Sequence, residues 1–380
     1  MNPSNKANQN VADAGLKTTF APGLFARTAH DFREILTPDW SQWVPRAALR
    51  CIPGVALPLI LGIYFNHPGI GIFATGGAMS VGFGSNHRLS RSRLSPMLIA
   101  STGMAVSALA GSLAGHSLLS LLPVVAFWGF VYGLLATLGS ATAFIGLQCV
   151  IAMLITSNYT VPFAAAFNRA TMVLIGGLGQ TLLVAMLWKF DRKSPAPNPP
   201  PDPQNPATAQ PSAKNVYDNL TWQSDAFQYG LRVAIALIYA SILARALNLT
   251  NGYWLAMTVA IVLKPSFGKT FQRGLARILG TLAGVAVATL VSALLHPSHE
   301  TLAALVILFA ALSYLLIRVN YASFTVCITA YIVFLLALAG LPEQKIIRYR
   351  ALNTVLGGGL ALVMHGKFPK PGHRRPQIND

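Results

Sequence analysis

The residues of this chain that could do chemistry are almost all positive. Arg46, Arg50, Arg169, Arg232, Arg245, Lys264, Arg318 and Arg350 approach or enter apolar runs, while no Asp or Glu lies between Asp39 and Asp191. In the second half Asp225, Glu300 and Glu343 are the acids before the tail, each at a run end or in a loop. Cations held in apolar surroundings without carboxylates favour anions. A proton relay needs a carboxylate or histidine inside the bundle. The eight histidines sit at run ends or in tails, so carboxylate-based proton coupling has little support. Arg50 and Arg232 fall inside their runs and Lys264 closes a short one, which makes these three the candidates for attracting a carboxylate. Tyr253 and Trp254, with Thr258 one turn later, offer an aromatic face to a ring. Arg169 and Arg350 open matching runs as a repeat-equivalent basic pair, and a shared structural role competes there with substrate contact. For basic residues near run ends the competing role is snorkelling to the interface.

Other chemistries are absent. Ser266-Phe267-Gly268-Lys269-Thr270 mimics the end of a phosphate loop, but that pattern needs glycine where Leu263 stands. Cys51, Cys149 and Cys327 lie far apart in apolar runs and read as small buried hydrophobes, with neither disulfide nor metal spacing. No triad or acid pair appears, so neither an enzyme, a cofactor nor a metal is expected.

The elements that must position these groups are membrane helices. The chain is 53% hydrophobic and 10% charged, far below the roughly 25% charged residues of soluble domains. The net charge of +17 falls in clusters between apolar runs, where Lys and Arg set membrane orientation rather than bind nucleic acid. Residues 1–43 form a polar tail without a cleavable signal, ending in an amphipathic helix over Phe25–Trp43 with Phe32, Ile35, Leu36, Trp40 and Trp43 for the interface. Residues 44–190 hold six apolar runs, at 46–65, 70–84, 96–115, 118–138, 140–157 and 168–189. A proline-rich tether occupies 191–226. Residues 227–368 hold six more runs, at 229–248, 252–264, 275–295, 301–317, 321–340 and 349–366, before a basic tail at 369–380. The expected fold is an all-α polytopic membrane protein of about twelve transmembrane helices. The second run of each half is short, broken by Gly and Pro, and either spans or re-enters; such paired interruptions point to a transporter's binding site.

The halves repeat. Phe83-Gly84 and Phe267-Gly268 both close the short run, and each precedes a basic stretch, at His87–Arg93 and at Lys269–Arg277. Arg169-Ala170 with Gly176-Gly177 matches Arg350-Ala351 with Gly357-Gly358 at an offset of 181 residues. Six spans per half would insert both halves the same way up, as parallel repeats. Basic residues at 87–93, 189–193, 269–277 and 367–375 place those stretches and both termini in the cytoplasm. The loop Glu343–Arg350 is the exception, with Lys345, Arg348 and Arg350 on the expected outer side. Gly111-x-x-x-Gly115, Gly129-x-x-x-Gly133 and Gly280-x-x-x-Gly284 read as close-packing faces.

Arg232, Gly252-Tyr253-Trp254 with Thr258, Lys264-Pro265-Ser266-Phe267-Gly268, Arg273, Arg277 and Gly280-Thr281-x-x-Gly284 together resemble the fusaric acid resistance (FUSC) family. Arg350-Ala351-x-Asn353-Thr354-x-x-Gly357 is similar to that family's last helix. The resemblance covers about 227–368 and extends weakly over 44–190, where Ile70 replaces the tryptophan, Ser80 the lysine and Val81 the proline. It implies a bacterial inner-membrane exporter of small aromatic carboxylic acids, kin to plant malate-type anion channels. The implied partners are the lipid bilayer, a small aromatic or organic anion, in some members a periplasmic adaptor, and optionally further copies of the chain. A passive anion channel and a non-transporting envelope scaffold are the alternatives. Outward movement of one negative charge down a potential of 100 mV, negative inside, gains about 2.3 kcal/mol, so export needs no second ion.

Overall fold

The computed structural model describes residues 37–89, 92–189, 220–341 and 343–367. The described residues form twelve helices and no strand beyond an isolated bridge between Leu89 and Ser92. In the first half these are α1 (Pro45–Tyr64), α2 (Pro68–Gly82), α3 (Leu94–Ala114), α4 (Leu118–Leu138), α5 (Ser140–Ser157) and α6 (Phe163–Lys189). In the second they are α7 (Asp225–Ala246), α8 (Tyr253–Val262), α9 (Phe267–Leu295), α10 (His299–Leu316), α11 (Tyr321–Leu338) and α12 (Glu343–Lys367). Nine of the helices among the described residues are long and apolar enough to cross a membrane; α2, α8 and α12 are not in that set.

Polar side chains set several helix starts. Ser117, Ser224, Ser298 and Asn320 each accept a backbone N–H in the first turn of the helix that follows, satisfying groups the helix itself cannot. Proline fills the first turns of α1 and α2, where its missing N–H costs nothing.

Three boundaries differ from the sequence reading. Helix α9 starts at Phe267 rather than 275, because the turn at Leu263–Ser266 already ends the preceding helix. The basic stretch Lys269–Arg277 is therefore helical, and Arg277 is buried at 4% exposure. Helix α12 starts at Glu343 rather than 349, so the stretch read as a basic outer loop is a helix whose Arg350 is buried at 1%. Helix α6 starts five residues before the run, at Phe163. Of the amphipathic helix expected over Phe25–Trp43, only the end is described: Trp40–Gln42 is one 3-10 turn with Trp40 and Trp43 exposed and packed edge to face. Phe32, Ile35, Leu36, the tether as far as residue 219 and the tail at 369–380 lie outside the described residues.

Helix neighbours recur between the halves. Helix α2 packs on α1 and α6, as α8 does on α7 and α12; α3 packs on α5 and α6, as α9 does on α11 and α12. The halves meet through α4 on α7 and α10 on α1. All three small-residue motifs are close contacts. Gly111 and Gly115 face the Met153 and Ser157 carbonyls of α5, Gly280 and Gly284 face those of Ala322 and Val326 on α11, and Gly129 and Gly133 face Ala234 and Gly230 of α7. Without a side chain these backbones approach closely, which supplies the van der Waals contact that holds helices together in lipid.

Candidate anion site

Helix α8 is the element around which the basic and aromatic candidates gather. Its ten residues, about 15 Å of helix, span half a hydrocarbon core. Every one of them is buried by protein. A helix that is apolar all round belongs inside a bundle, and α8 touches α5, α7, α9 and α12.

The helix stops because Leu263 turns extended, with Pro265 two residues on. Its last carbonyls then need donors. Tyr132 of α4 donates its hydroxyl to the Ala260 carbonyl at 3.1 Å, and Tyr229 of α7 donates to that of Leu263 at 3.0 Å. The Lys264 N–H, free of the helix, is accepted by Thr270 Oγ1 at 3.0 Å. Two tyrosines and a threonine thus hold the break open. Tyr229→Phe is expected to cost about 1–2 kcal/mol by leaving the Leu263 carbonyl unmet, read as a lower unfolding temperature of the purified chain; an unchanged temperature would mean that this bond does not stabilise the break.

Positive groups collect at this end. Partly buried Lys264 follows the α8 C-terminus, where a cation is favoured by the helix dipole. Burial first, and the charge of Arg273 second, pull its ammonium down to about 7. Arg273 lies over the Tyr321 ring at 4.0 Å. Arg232 is buried at 6% on α7. The ring of His365 lies 5.4 Å from that of Phe267. Lys264 and Arg232 are brought to one region by Tyr229, which lies one turn before Arg232 and bonds the Leu263 carbonyl.

At the other end of α8, Tyr253 and Trp254 are buried, at 8% and 2% exposure. The Arg350 guanidinium of α12 lies 5.3 Å from the centre of the Trp254 ring, within cation–π range. One face of the Trp254 ring is therefore covered by arginine. Tyr253 packs near Tyr159, 6.1 Å between rings, and Tyr159 donates to Asn251 Oδ1 at 3.2 Å. Thr258 is a packing residue: its hydroxyl donates to the Trp254 carbonyl at 2.7 Å, and its Cβ lies against Gly357.

The first half carries a version of the same arrangement. Arg169 lies 4.8 Å from the centre of the Phe73 ring. Phe73 and Trp254 share the 181-residue offset of Arg169 and Arg350, as do the contacts of Gly176 with Ala74 and of Gly357 with Leu255. Phe73, rather than Ile70, thus occupies the tryptophan's place. Arg50 stands apart from α8, at the break between the two pieces of α1. It lies over the Trp188 ring at 5.3 Å, with Arg93 over the same ring at 5.0 Å.

Arg273, Arg277, Tyr229 and Tyr132 are not among the site candidates the sequence offers, although both arginines belong to the motif that carries the family resemblance. The arginines had been counted as a topological charge cluster; their spacing of four, which puts them on one helix face, was the available signal. The described acids Asp39, Asp225 and Glu300 are all exposed. No group of His, Cys, Asp and Glu among the described residues could hold a metal. A cavity of about 330 Å³ opens elsewhere, between α3, α4 and α5, with Val106, Phe127 and Tyr132 among its walls.

Comparison with known proteins agrees with the second half's character. Residues 237–364 match the family described as fusaric acid resistance protein-like. An uncharacterized protein, ORF2, of Neisseria gonorrhoeae is 32% identical over 154 residues, 40% of this chain and 37% of its own length. The uncharacterized protein YhfK of Escherichia coli is 33% identical over 138 residues, 36% of this chain and 20% of its own. The inner membrane protein YccS of Escherichia coli is 27% identical over 143 residues, 38% of this chain and 20% of its own. The matches thus span between a fifth and two-fifths of these relatives. No solved structure matches the chain.

Proposed function

We propose that this membrane protein moves small organic anions, aromatic carboxylates foremost, out of the cytoplasm, a reading supported by the match of residues 237–364 to the family described as fusaric acid resistance protein-like. One observation carries the reading. Arg232, Arg277 and Arg350 are buried inside the helical bundle, and every described carboxylate with a defined side chain is exposed. Arginine stays charged at any physiological pH, so the interior holds net positive charge. Such an interior attracts anions and repels cations.

The cations follow α8 from end to end, which gives an anion a path rather than one contact. Lys264, Arg232 and Arg273 gather near its last turn, Arg277 lies one turn further along α9 than Arg273, and Arg350 covers Trp254 at its start. In this reading the basic stretches lie in the cytoplasm of a bacterial inner membrane, and Lys264 receives the anion. Tyr253 and Trp254 then guide the ring towards the outer side. Arg50, on Trp188, draws anions to the same face of the membrane from the first half. The resting potential drives the charge outward.

The test is flux of labelled 4-hydroxybenzoate from proteoliposomes with the membrane potential set or collapsed. Flux that follows the potential supports anion movement, and dependence on a pH gradient would mark a coupled carrier. Absence of flux under every gradient would leave the scaffold reading standing instead.

A further inference from the structure

The two halves are not equal where their arginines are buried. Arg169 of the first half is only partly buried, and it is satisfied by protein: its Nη1 donates to the Tyr159 carbonyl and to Ser112 Oγ at 3.2 Å. Arg350 of the second half is 1% exposed, donates once from Nη2 to Thr329 Oγ1 at 3.3 Å, and leaves Nε and Nη1 without partners. A buried charged group with open donors is costly unless something completes it.

A second buried guanidinium lies on α9, which packs against α12. Gly284 of α9 packs against Thr329, the residue that accepts from Arg350. Arg277, seven residues before Gly284, shares its helix face. It is 4% exposed and its Nε has no partner, and its neighbour Ile278 packs against Gly358 of α12. Thr281, between Arg277 and Gly284, is fully buried with its hydroxyl unmet. The first half has no such second cation. The face of α3 that corresponds to the Arg277 face of α9 holds Pro96, Ala100, Met104 and Ala108, all buried and none charged.

We infer that each chain holds one internal anion site, in the second half, where Arg277 and Arg350 grip a single carboxylate beside Trp254, and that Arg169 is its sealed structural copy. In the first half the Tyr159 carbonyl takes the negative partner's place, and the matching face of α3 carries no second cation. In the second half the open N–H groups of two arginines suit a carboxylate, whose two oxygens can accept from both at once. The site rests on the reading of the chain as an anion transporter, and its ligand class is the small monocarboxylate.

Benzoate titrated into the purified full chain in lipid nanodiscs tests this. One benzoate per chain is expected, with binding about tenfold weaker or more in both R277Q and R350Q. R169Q should keep stoichiometry and affinity while unfolding at a lower temperature. If R350Q does not fold, R350K takes its place: it keeps the charge but loses the planar fork, and weaker binding is still expected. Two benzoates per chain, no saturable binding, unchanged affinity in the folded Arg277 and Arg350 variants, or loss of binding in folded R169Q would each overturn the assignment. Saturable binding that these variants abolish, without flux in proteoliposomes, would keep the site and remove the transport reading. Flux that R277Q and R350Q leave intact would do the reverse.

Discussion

Gly176→Ala and Gly357→Ala are each expected to lower the unfolding temperature of the purified chain sharply, while Gly179→Ala raises it. A methyl group at Gly176 would overlap the Ala74 carbonyl of α2, and one at Gly357 would stand 2.6 Å from the Leu255 carbonyl of α8. Both obstacles are backbone, so no rotamer change relieves them and the helices must separate. Overpacking costs about 1–3 kcal/mol and occasionally more, with rigid backbone obstacles at the upper end, and in lipid no hydrophobic gain between helices offsets it. At Gly179 nothing lies within 4 Å of the added carbon. There alanine only removes glycine's conformational cost within a helix, a gain of about 1 kcal/mol. The sign change three residues apart is the diagnostic. Equal effects at Gly176 and Gly179 would mean that α2 and α6 do not meet as closely as described.

The second large effect concerns pH. With its ammonium pulled down to about 7, Lys264 is charged below that value and neutral above it. A carboxylate substrate stays ionised throughout this window. Flux of 4-hydroxybenzoate is therefore expected to fall severalfold as pH on the Lys264 side rises from about 6 to about 8. Lys264→Arg should abolish the fall, since a guanidinium keeps its charge. Lys264→Gln should give low flux at every pH, and Arg232→Gln should lower flux while keeping the pH dependence. A flat profile in the unsubstituted chain would remove Lys264 from the anion path.

The twelve apolar runs were legible because the solvent change at a membrane surface is abrupt and the runs end where charge begins. Helix ends bearing arginine were misplaced for the same reason. Lys345, Arg348 and Arg350 look like an outer loop, and Lys269, Arg273 and Arg277 like a cytoplasmic one, when charge is taken to mean water. Burial of Arg277 and Arg350 arises from tertiary packing at Gly280, Gly284 and Gly357, which no local pattern displays. A clue was nonetheless present: Phe73 and Trp254 stand at the offset already read from Arg169 and Arg350. Pairing aromatics at that interval would have found both cation–π contacts. At Thr258 a hydroxyl beside an aromatic pair suggests a ligand contact; in the fold it donates to the carbonyl of Trp254 in its own helix. Arg50, also a candidate for attracting a carboxylate, lies at the break in α1 over Trp188 rather than along α8.

The all-round enclosure of α8 also bears on the surrounding lipid. Hydrophobic mismatch acts on helices through the apolar surface they show to acyl chains, tilting or stretching them as thickness changes. The long helices show such surface, for example Leu57 and Ile60 of α1 or Val106 of α3. Helix α8 shows none. A thicker or thinner bilayer is thus absorbed by the outer wall, and the interval between Trp254 and Lys264 stays fixed by protein.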